Sequence, residues 1–200
     1  MPLDINYIND VADIAKNNNM SVHIDGARIF NAAVATGFSV SDLTKEVESV
    51  SFCLSKGLSA PSGSLLCGES SFIQRARFNR KALGGGMRQA GILAAAGIVA
   101  LNVMSKKIVQ DHQNAKKLAD GISKIDGINL EIEKTKTNII YFKLDHPKIN
   151  SSALLEFMEK KNIRFFELAP NWFRLVTHSG ISNESIDYVV NEFDHFFAKA

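Results

Sequence analysis

The sequence predicts an α/β protein whose first part holds a mostly parallel sheet and whose second part is a smaller α+β unit. Apolar runs at 21–24 and 50–54 are typical of short strands, and the stretches between them carry apolar residues at helical spacing. Such alternation of strands and helices is what a parallel sheet requires. The predicted helices become more polar beyond about residue 105. We therefore expect part of a large domain over 1–104 and a small domain over 105–200.

The first part takes its helices from periodicity and its strands from apolar runs. Ile5, Ile8, Val11 and Ile14 recur at the spacing of an amphipathic helix, which ends at Asn17. The predicted elements, in order, are a helix at 5–17, a strand at 21–24, a helix at 27–35, a short helical turn capped by Ser41, strands at 50–54 and 64–67, a basic helix at 72–83 and a long helix from 87 to about 104.

The second part has the pattern of a compact α+β unit. A helix with an apolar stripe ends near Ile122, and shorter elements follow it at close intervals. These predicted elements are strands at 128–133 and 138–144, a helix at 151–161 capped by Ser151 or Ser152, strands at 163–168 and 172–177, and a helix at 183–198 capped by Asn183.

Composition and charge narrow the function classes. The net charge is +2 and 46% of the residues are hydrophobic, so the chain can bury a core but has no basic field for nucleic acid. Cys53 and Cys67 lie in apolar runs, which predicts buried thiols, a reducing compartment and no metal site. We expect no signal peptide, and the apolar run at 91–101 is too short to span a membrane. These features predict a cytoplasmic protein without a nucleic-acid or membrane partner.

One lysine lies where an active site is expected. Lys56 follows the strand at 50–54 and opens a loop of Gly, Ser and Pro residues that ends at Ser64. Loops at the carboxyl ends of strands are where open α/β sheets bind ligands. A desolvated lysine there can lose its proton and form an imine with a carbonyl compound. The competing interpretation is a solvated surface lysine, which is the commoner state of this residue.

A carboxylate occupies the equivalent place after the preceding strand. Asp25 follows the strand at 21–24, and parallel neighbouring strands would bring Asp25 and Lys56 to the same sheet edge. Pyridoxal phosphate needs a lysine that holds it as an imine and a carboxylate that keeps its ring nitrogen protonated. Asp and Lys at two strand ends are nevertheless common, so the spacing alone does not identify a cofactor.

Three long motifs carry a resemblance to a known family. They are His23–Ala32, Cys53–Pro61 and Arg80–Gly91, in the family's order, and Asp111–His112 and Arg174–His178 also fit. The chain resembles the pyridoxal-phosphate-dependent low-specificity L-threonine aldolases, within the β-eliminating lyase group of the aspartate-aminotransferase-like superfamily. The resemblance extends over essentially the whole chain, and it implies the type I fold of that superfamily.

The resemblance implies a role for each matching site residue. Lys56 would be the Schiff-base lysine, and Asp25 would pair with the pyridinium nitrogen of the cofactor. Arg28, at the cofactor, and Arg174 would bind the substrate carboxylate, a task suited to the planar guanidinium group. Arg88, after the three glycines, would lie near the cofactor phosphate. No metal is implied.

Each assignment has a structural alternative. Arg28 could cover the next helix with its aliphatic stem. The segment around Arg174, taken alone, is typical of a strand with one outward arginine. We expect His23 to pack in the sheet, and His112 and His178 to be structural or capping residues.

The implied reaction is the retro-aldol cleavage of L-threonine or L-allo-threonine to glycine and acetaldehyde. Its implied setting is glycine formation and threonine breakdown by a homo-oligomer, a dimer of dimers with active sites at subunit interfaces. Two alternatives stay open. One is a related β-eliminating lyase or aminotransferase-like enzyme, and the other is a non-catalytic protein that acts only in oligomerisation.

We also expect one difference between this chain and the family. The family's proteins are longer at the amino end, where they supply the phosphate-binding loop, the histidine that stacks on the cofactor and further sheet strands. We find no substitute for these parts in the sequence. We therefore expect an unpaired sheet edge and exposed apolar surface, which favour pairing with another chain.

Overall fold

The computed structural model of the chain describes residues 1–199 and divides into two compact units, one of them Pro2–Ile108 and the other beginning at Val109. Each unit has its own hydrophobic core. Each also has its own sheet, which within the described residues has three strands in the first unit and four in the second.

The first unit alternates helices and strands up to its second strand, which a third strand follows directly. The Asp4 carboxylate caps the first helix by accepting a hydrogen bond from the Asn6 N–H at 2.8 Å. The elements are α1 (Ile5–Asn17), β1 (His23–Asp25), α2 (Ile29–Thr36), α3 (Val40–Leu43), β2 (Ser49–Cys53), β3 (Ser64–Gly68), α4 (Ser70–Ala82) and α5 (Gly91–Asn102).

The sheet of the first unit has the order β1–β2–β3 within the described residues. β1 runs parallel to β2, with Asp25 opposite Ser51, whereas β3 runs antiparallel to β2, with Cys53 opposite Ser64. The expected mostly parallel sheet is therefore a mixed one. The reason is that the short connection 54–63 returns the chain as a hairpin, and a parallel pair would need a longer crossover.

The first core packs α2 and the lysine loop against β2. Phe52 of β2 is buried and meets Phe30 of α2 edge-on, with ring centroids 5.3 Å apart. Leu54 and Leu58, which flank the predicted active-site lysine in sequence, are also buried. These contacts anchor the loop on both sides of Lys56.

The second unit packs helices against a fully antiparallel sheet. Its strand order is β4–β5–β7–β6 within the described residues, and Tyr141 of β5 lies opposite Arg174 of β7. The elements are α6 (Ile108–Ile122), β4 (Ile128–Asn129), β5 (Ile139–Leu144), α7 (Ser151–Lys160), β6 (Phe166–Ala169), β7 (Trp172–Val176) and α8 (Asn183–Phe197).

The second core is closed by aromatic residues from strands and helix. Phe142, Phe173 and Phe193 are each 0% exposed, and Phe142 stacks on Phe173 with centroids 4.9 Å apart. Leu154 and Met158 of α7 complete the same cluster. Alternation along β7 therefore turns Phe173 inward and leaves Arg174 on the opposite face of the sheet.

Some predicted boundaries were wrong. The helix expected from residue 87 begins at Gly91, because Gln89 takes a positive φ of 48° that a helix cannot contain. The strand expected at 128–133 stops at Asn129 and gives way to a 3₁₀ turn at Ile132–Lys134. The remaining predicted helices and strands are present with shifts at their ends.

The predicted helix caps were displaced by one or two residues. Asn150 caps α7 by accepting a hydrogen bond from the Ala153 N–H at 2.9 Å, in place of Ser151 or Ser152. Ser182 caps α8 in place of Asn183. Ser39 caps α3 in place of Ser41 and forms a reciprocal capping box with Asp42, and these hydrogen bonds lower the pKa of the Asp42 carboxyl.

Two surface features complete the description. Cys67 is exposed and Cys53 is half-buried, so the prediction of two buried thiols was wrong. Cys67 belongs to β3, all five residues of which are exposed, and Cys53 lies on the less buried face of β2. Within residues 1–199, no single helix is long and apolar enough to cross a membrane, although the pair Gly91–Asn102 and Met104–Ile122, bent by 42°, meets that length and composition together.

Candidate active site

The carboxyl ends of β1 and β2 form the centre of the candidate site. Asp25 is the last residue of β1, and Lys56 follows the end of β2 by three residues. Because the two strands are parallel, both residues lie at the same edge of the sheet. Both side chains are exposed in this chain. The desolvation of Lys56 that the sequence suggested would thus have to come from a bound group or from further polypeptide.

A glycine fixes the turn that follows Asp25. The Gly26 N–H donates a hydrogen bond to the Ser51 carbonyl at 2.8 Å, which continues the β1–β2 pairing. A Cβ at this position would lie 3.0 Å from the same carbonyl oxygen and 3.1 Å from a methyl of Val50. The Asp25 carboxylate accepts a longer hydrogen bond, 3.3 Å, from the Ala27 N–H. The turn therefore holds the carboxylate at the sheet edge.

His23 forms a polar row with two serines of β2. Its Nδ1 lies 2.9 Å from Ser49 Oγ, and its Nε2 lies 3.3 Å from Ser51 Oγ. His23 and Asp25 point to the same face of β1 because side chains alternate along a strand. The expectation that His23 packs in the sheet was wrong, since its side chain is exposed and hydrogen-bonded across the strands.

The loop that carries Lys56 is held by its own backbone hydrogen bonds. The Ser59 N–H donates to the Lys56 carbonyl and the Ala60 N–H donates to the Leu54 carbonyl, each at 2.9 Å. Ser59 has a positive φ of 59°, which closes the turn. The lysine therefore projects from an ordered turn between the buried Leu54 and Leu58.

Arg28 and Arg174 share an unusual feature. In each residue the Nε atom is buried and has no hydrogen-bond partner among the described residues. A buried donor without an acceptor costs about 1–3 kcal/mol, so an incoming anion would relieve that cost. Both are the residues predicted to bind the substrate carboxylate, and a carboxylate is an acceptor that suits a guanidinium group.

The two arginines belong to different units. Arg28 immediately precedes α2, three residues after Asp25, and its side chain is half-buried. Arg174 lies in the middle of β7, between Tyr141 of β5 and Phe166 of β6 on neighbouring strands. The structure thus groups Asp25, Arg28 and Lys56 in the first unit and describes Arg174 within the second.

Arg88 occupies the turn before α5. Its side chain is exposed, as are all residues from 81 to 90. Gly84 and Gln89 take positive φ values of 81° and 48°, so the chain turns sharply on both sides of the glycine run. Within the described residues, Arg88 makes neither a hydrogen bond nor an ion pair, so its role at a phosphate stays a prediction.

A buried polar network supports the end of the strand that carries Arg174. The Thr177 hydroxyl donates to the Asp111 carbonyl at 2.6 Å, and the Asn138 amide donates to the Thr177 carbonyl at 2.8 Å. The Thr177 N–H donates in turn to the Asn138 carbonyl at 3.0 Å. All three residues are 2% exposed. The network ties the carboxyl end of β7 to β5 and to the first turn of α6.

The sequence did not lead us to predict this network or its support of the strand that carries Arg174. The signal was polar residues in otherwise apolar strand segments, such as Asn138 before Ile139 and Ile140. Burial raises the pKa of the Asp111 carboxyl, and the nearby His178 opposes that shift. His178 itself accepts a hydrogen bond from the Gly180 N–H at 3.1 Å, which fits the expected structural role.

Solved structures define the class of the fold. The chain superimposes on the threonine aldolase of Leishmania major with a TM-score of 0.77 at 14% identity, covering 96% of this chain and 56% of that chain. The predicted type I, aspartate-aminotransferase-like α/β fold is thereby confirmed. A sequence model of the beta-eliminating lyase family matches residues 1–145, and the chain belongs to that family.

Curated relatives show which enzymes the chain resembles in sequence. Low-specificity L-threonine aldolase 1 of Arabidopsis thaliana is 40% identical over 192 residues, covering 96% of this chain and 54% of the relative. The low specificity L-threonine aldolase of Escherichia coli (strain K12) is 38% identical over 193 residues, covering 96% and 56%. The chain therefore spans about half the length of these relatives. The resemblance inferred from the three motifs is confirmed.

Proposed function

We propose that the chain forms part of a pyridoxal-phosphate-dependent threonine aldolase, which cleaves L-threonine or L-allo-threonine to glycine and acetaldehyde. The observation that carries this proposal is the placement of Asp25 and Lys56 at the carboxyl ends of the adjacent parallel strands β1 and β2. The likeness to curated threonine aldolases over nearly the whole chain supports it.

The residues present fit the cofactor. Lys56 offers a primary amine on an ordered turn, and Asp25 offers a carboxylate whose single described hydrogen bond is the one at 3.3 Å. The buried and unpartnered Nε of Arg28 lies just after Asp25 in the chain and can donate to an anionic group. In this assignment Lys56 would hold the cofactor's aldehyde carbon and Asp25 its ring nitrogen.

The cofactor and the chain would contribute differently to the reaction. When bound, pyridoxal phosphate supplies an electron sink for the pair left on the substrate α-carbon as the Cα–Cβ bond breaks. Arg28 and Arg174 would orient the substrate by its carboxylate, which frees the hydroxyl-bearing carbon to leave as acetaldehyde. A base must take the hydroxyl proton, and we assign that role to bound water or to polypeptide beyond these residues.

Cofactor capture tests the proposal directly. The purified 200-residue chain is mixed with pyridoxal phosphate, reduced with borohydride and mapped by peptide mass. The expected result is one adduct per chain on Lys56, lost in Lys56→Ala and kept in Lys45→Ala, a control whose side chain is 76% exposed. Scattered labelling of lysines, or labelling that Lys56→Ala leaves unchanged, would show that these residues do not form the cofactor site.

A second candidate reaction is β-elimination, which the description of the matching family favours. Elimination from a β-substituted amino acid ends in an α-keto acid and ammonia, whereas retro-aldol cleavage ends in glycine and an aldehyde. Product analysis with threonine, serine and β-phenylserine separates the two. Glycine with an aldehyde from threonine supports the aldolase, and pyruvate with ammonia from serine as the main products supports the lyase.

The proposal extends to the setting of the enzyme. We infer a cytoplasmic homo-oligomer, a dimer of dimers, that acts on small amino acids and forms glycine from threonine. The motif likeness supports this assembly, and light scattering of the cofactor-bound protein tests it. A mass of four chains is expected, and a monomer at micromolar concentration would contradict the assembly.

A further inference from the structure

A cavity of about 660 Å³ opens in the second unit. Its floor is apolar and is formed by buried residues of two helices, of β7 and of the segment before β6, namely Leu118, Ile163, Leu175 and Ile186. The volume lies within the range of about 300–1,000 Å³ that is typical of small-molecule sites, which are mostly apolar with a few polar groups. The described lining residues include none of those predicted to bind cofactor or substrate.

Two walls of the cavity are joined to each other. One wall is the segment 161–164, which follows α7, and the other is the first half of α8. The Tyr188 hydroxyl donates to the Lys161 carbonyl at 3.3 Å, and the Lys161 ammonium lies 3.1 Å from Glu192 Oε2. Asn162 takes a positive φ of 60°, which turns the chain after α7. The cavity is therefore shaped before a ligand arrives, which lowers the cost of binding.

A cation at the mouth of the cavity is open to an anionic ligand. The charged lining residues are Lys161, Arg164 and Glu184. The charge of Lys161 is already compensated by Glu192. Arg164 pairs with Glu159 only at 3.7 Å, and the two side chains are 79% and 69% exposed, so this pair contributes little to stability. The Arg164 guanidinium can therefore exchange this pair for a carboxylate, which suits its planar fork.

An anion lies on the other wall, since Glu184 belongs to the first turn of α8. Hydrogen bonds from the Ser182 hydroxyl and from its own backbone N–H lower the pKa of the Glu184 carboxyl, so this group is ionised at neutral pH. Lys117 also favours the charged form, but its ammonium is bound to Asp187 at 2.6 Å. A carboxylate has about four acceptor sites, so Glu184 can still accept hydrogen bonds from an ammonium group of a ligand.

We propose that this cavity is a binding site for an α-amino acid with a large apolar side chain. Arg164 takes the carboxylate of the ligand, Glu184 takes its ammonium group, and the side chain lies on the apolar floor. Charges of both signs at the mouth suit a zwitterion. An apolar carboxylate without an amino group would leave Glu184 without a partner, and an apolar amine would leave Arg164 without one.

The cavity also reaches the strand that carries Arg174. Three consecutive residues of β7, Leu175, Val176 and Thr177, belong to its lining and directly follow that arginine. A ligand that packs on them stabilises the folded form of this segment, so the backbone there opens less often. Binding to the cavity does not depend on the proposed aldolase function, whereas an effect of the ligand on substrate affinity through Arg174 rests on it.

Titration of L-phenylalanine into the cofactor-free, 200-residue chain, followed by ¹H–¹⁵N NMR, tests the proposal. This probe has no β-hydroxyl group, so retro-aldol cleavage cannot consume it. We expect the amide signals of 161–164 and 175–189 to shift with a dissociation constant of about 1 mM or lower. Amide exchange in β7 should slow in its presence. Phenylpropionate, which lacks the ammonium group, and phenethylamine, which lacks the carboxylate, should each bind about threefold or more weakly.

Two variants assign the charged groups separately. Arg164→Gln should weaken the binding of phenylalanine by about threefold or more and leave that of phenethylamine unchanged, because only the former has a carboxylate. Glu184→Gln should weaken the binding of phenylalanine and leave that of phenylpropionate unchanged. Arg77→Gln is the matched control, because Arg77 is an exposed arginine of the first unit. It should leave the binding of all three compounds unchanged.

Several outcomes overturn the proposal. Unshifted signals up to the solubility limit of phenylalanine would show that the cavity does not bind this class of ligand. Equal affinities for the three compounds would show that the charged groups do not select a zwitterion. Shifts confined to the surroundings of Asp25 or Arg174 would place the ligand at the candidate active site. Because no cofactor is present, failure of Lys56 to form an adduct would leave this result intact, and the reverse also holds.

Discussion

The backbone at Gly57 lies directly against the side chain of Asn31. A Cβ built on Gly57 would be 2.5 Å from Asn31 Oδ1, closer than any real contact of that kind. Asn31 is 2% exposed and belongs to the first turn of α2, so it has little room to move. This contact fixes how closely the loop beside Lys56 approaches α2. It also joins the two sequence motifs that carry Asp25 and Lys56.

Gly57→Ala is predicted to destabilise the chain by about 1–3 kcal/mol, because the added methyl must displace a buried side chain or the lysine loop. Urea unfolding measures the loss. Gly91→Ala is the matched control, since a Cβ at Gly91 meets nothing within 4 Å and lies at the start of a helix. It should be neutral or slightly stabilising. Equal effects of the two substitutions would show that the Gly57–Asn31 contact does not constrain the loop.

Thr177→Val is predicted to destabilise the second unit by about 1–3 kcal/mol, because it removes the hydroxyl that donates to the Asp111 carbonyl without changing the side-chain shape. Thr177→Ser keeps the hydroxyl and should lose less. Denaturant midpoints compare the variants, and exchange of the β7 amides reports whether the segment around Arg174 loosens. If valine and serine behave alike, the hydroxyl does not hold the end of β7.

The sequence predicted the elements better than their pairing. Apolar runs located β2 and β3 to within a residue. Such a run, and the small residues of the turn that follows β2, are visible in the local sequence. Pairing direction is not local. The antiparallel β2–β3 hairpin depends on the loop 54–63, whose Leu54 N–H to Gly63 carbonyl hydrogen bond of 2.9 Å no periodicity reveals.

In the candidate site, too, some features could be predicted from the sequence and others could not. Asp25 and Lys56 could be placed at one sheet edge from the sequence, because each follows an apolar run that predicts a strand. The contacts that support the site could not be predicted from the sequence. The closeness of Gly57 to Asn31 and the bond from Thr177 to Asp111 join residues far apart in the chain, and they depend on tertiary packing. The exposure of Lys56 likewise depends on what covers the sheet.

Gly121 of α6 and Val190 of α8 form a close helix contact that a double-mutant cycle can test. A Cβ at Gly121 would be 2.5 Å from a Val190 methyl, so Gly121→Ala should destabilise the second unit by about 1–3 kcal/mol despite alanine's higher helix propensity. Val190→Ala makes room for the methyl. The double variant should therefore be more stable than the sum of the two losses predicts, by about 0.5–3 kcal/mol.

The control for this cycle is Gly91→Ala combined with Val190→Ala, since a Cβ at Gly91 meets nothing within 4 Å and the two residues belong to different units. Those two effects should add. An additive result for Gly121 and Val190 as well would contradict the close contact of α6 and α8.

His112 makes the stability of the second unit depend on pH. Burial on α6 lowers the pKa of its imidazole from the ordinary value of 6.5, so the folded chain binds that proton less readily than the unfolded chain does. The stabilisation is present above the unfolded pKa of 6.5 and is lost as the pH falls through the lowered folded value. Asp111 acts in the opposite direction at lower pH, because burial raises the pKa of its carboxyl.

His112→Gln should flatten this dependence, because glutamine does not titrate. We expect the urea midpoint of the unsubstituted chain to fall between about pH 7.5 and pH 5, and that of His112→Gln to fall less. The contribution of Asp111 is common to both proteins, so their difference isolates the imidazole. His195→Gln is the control, since His195 is exposed on α8. Parallel curves for His112→Gln and the unsubstituted chain would show that the proton on His112 binds equally well before and after folding.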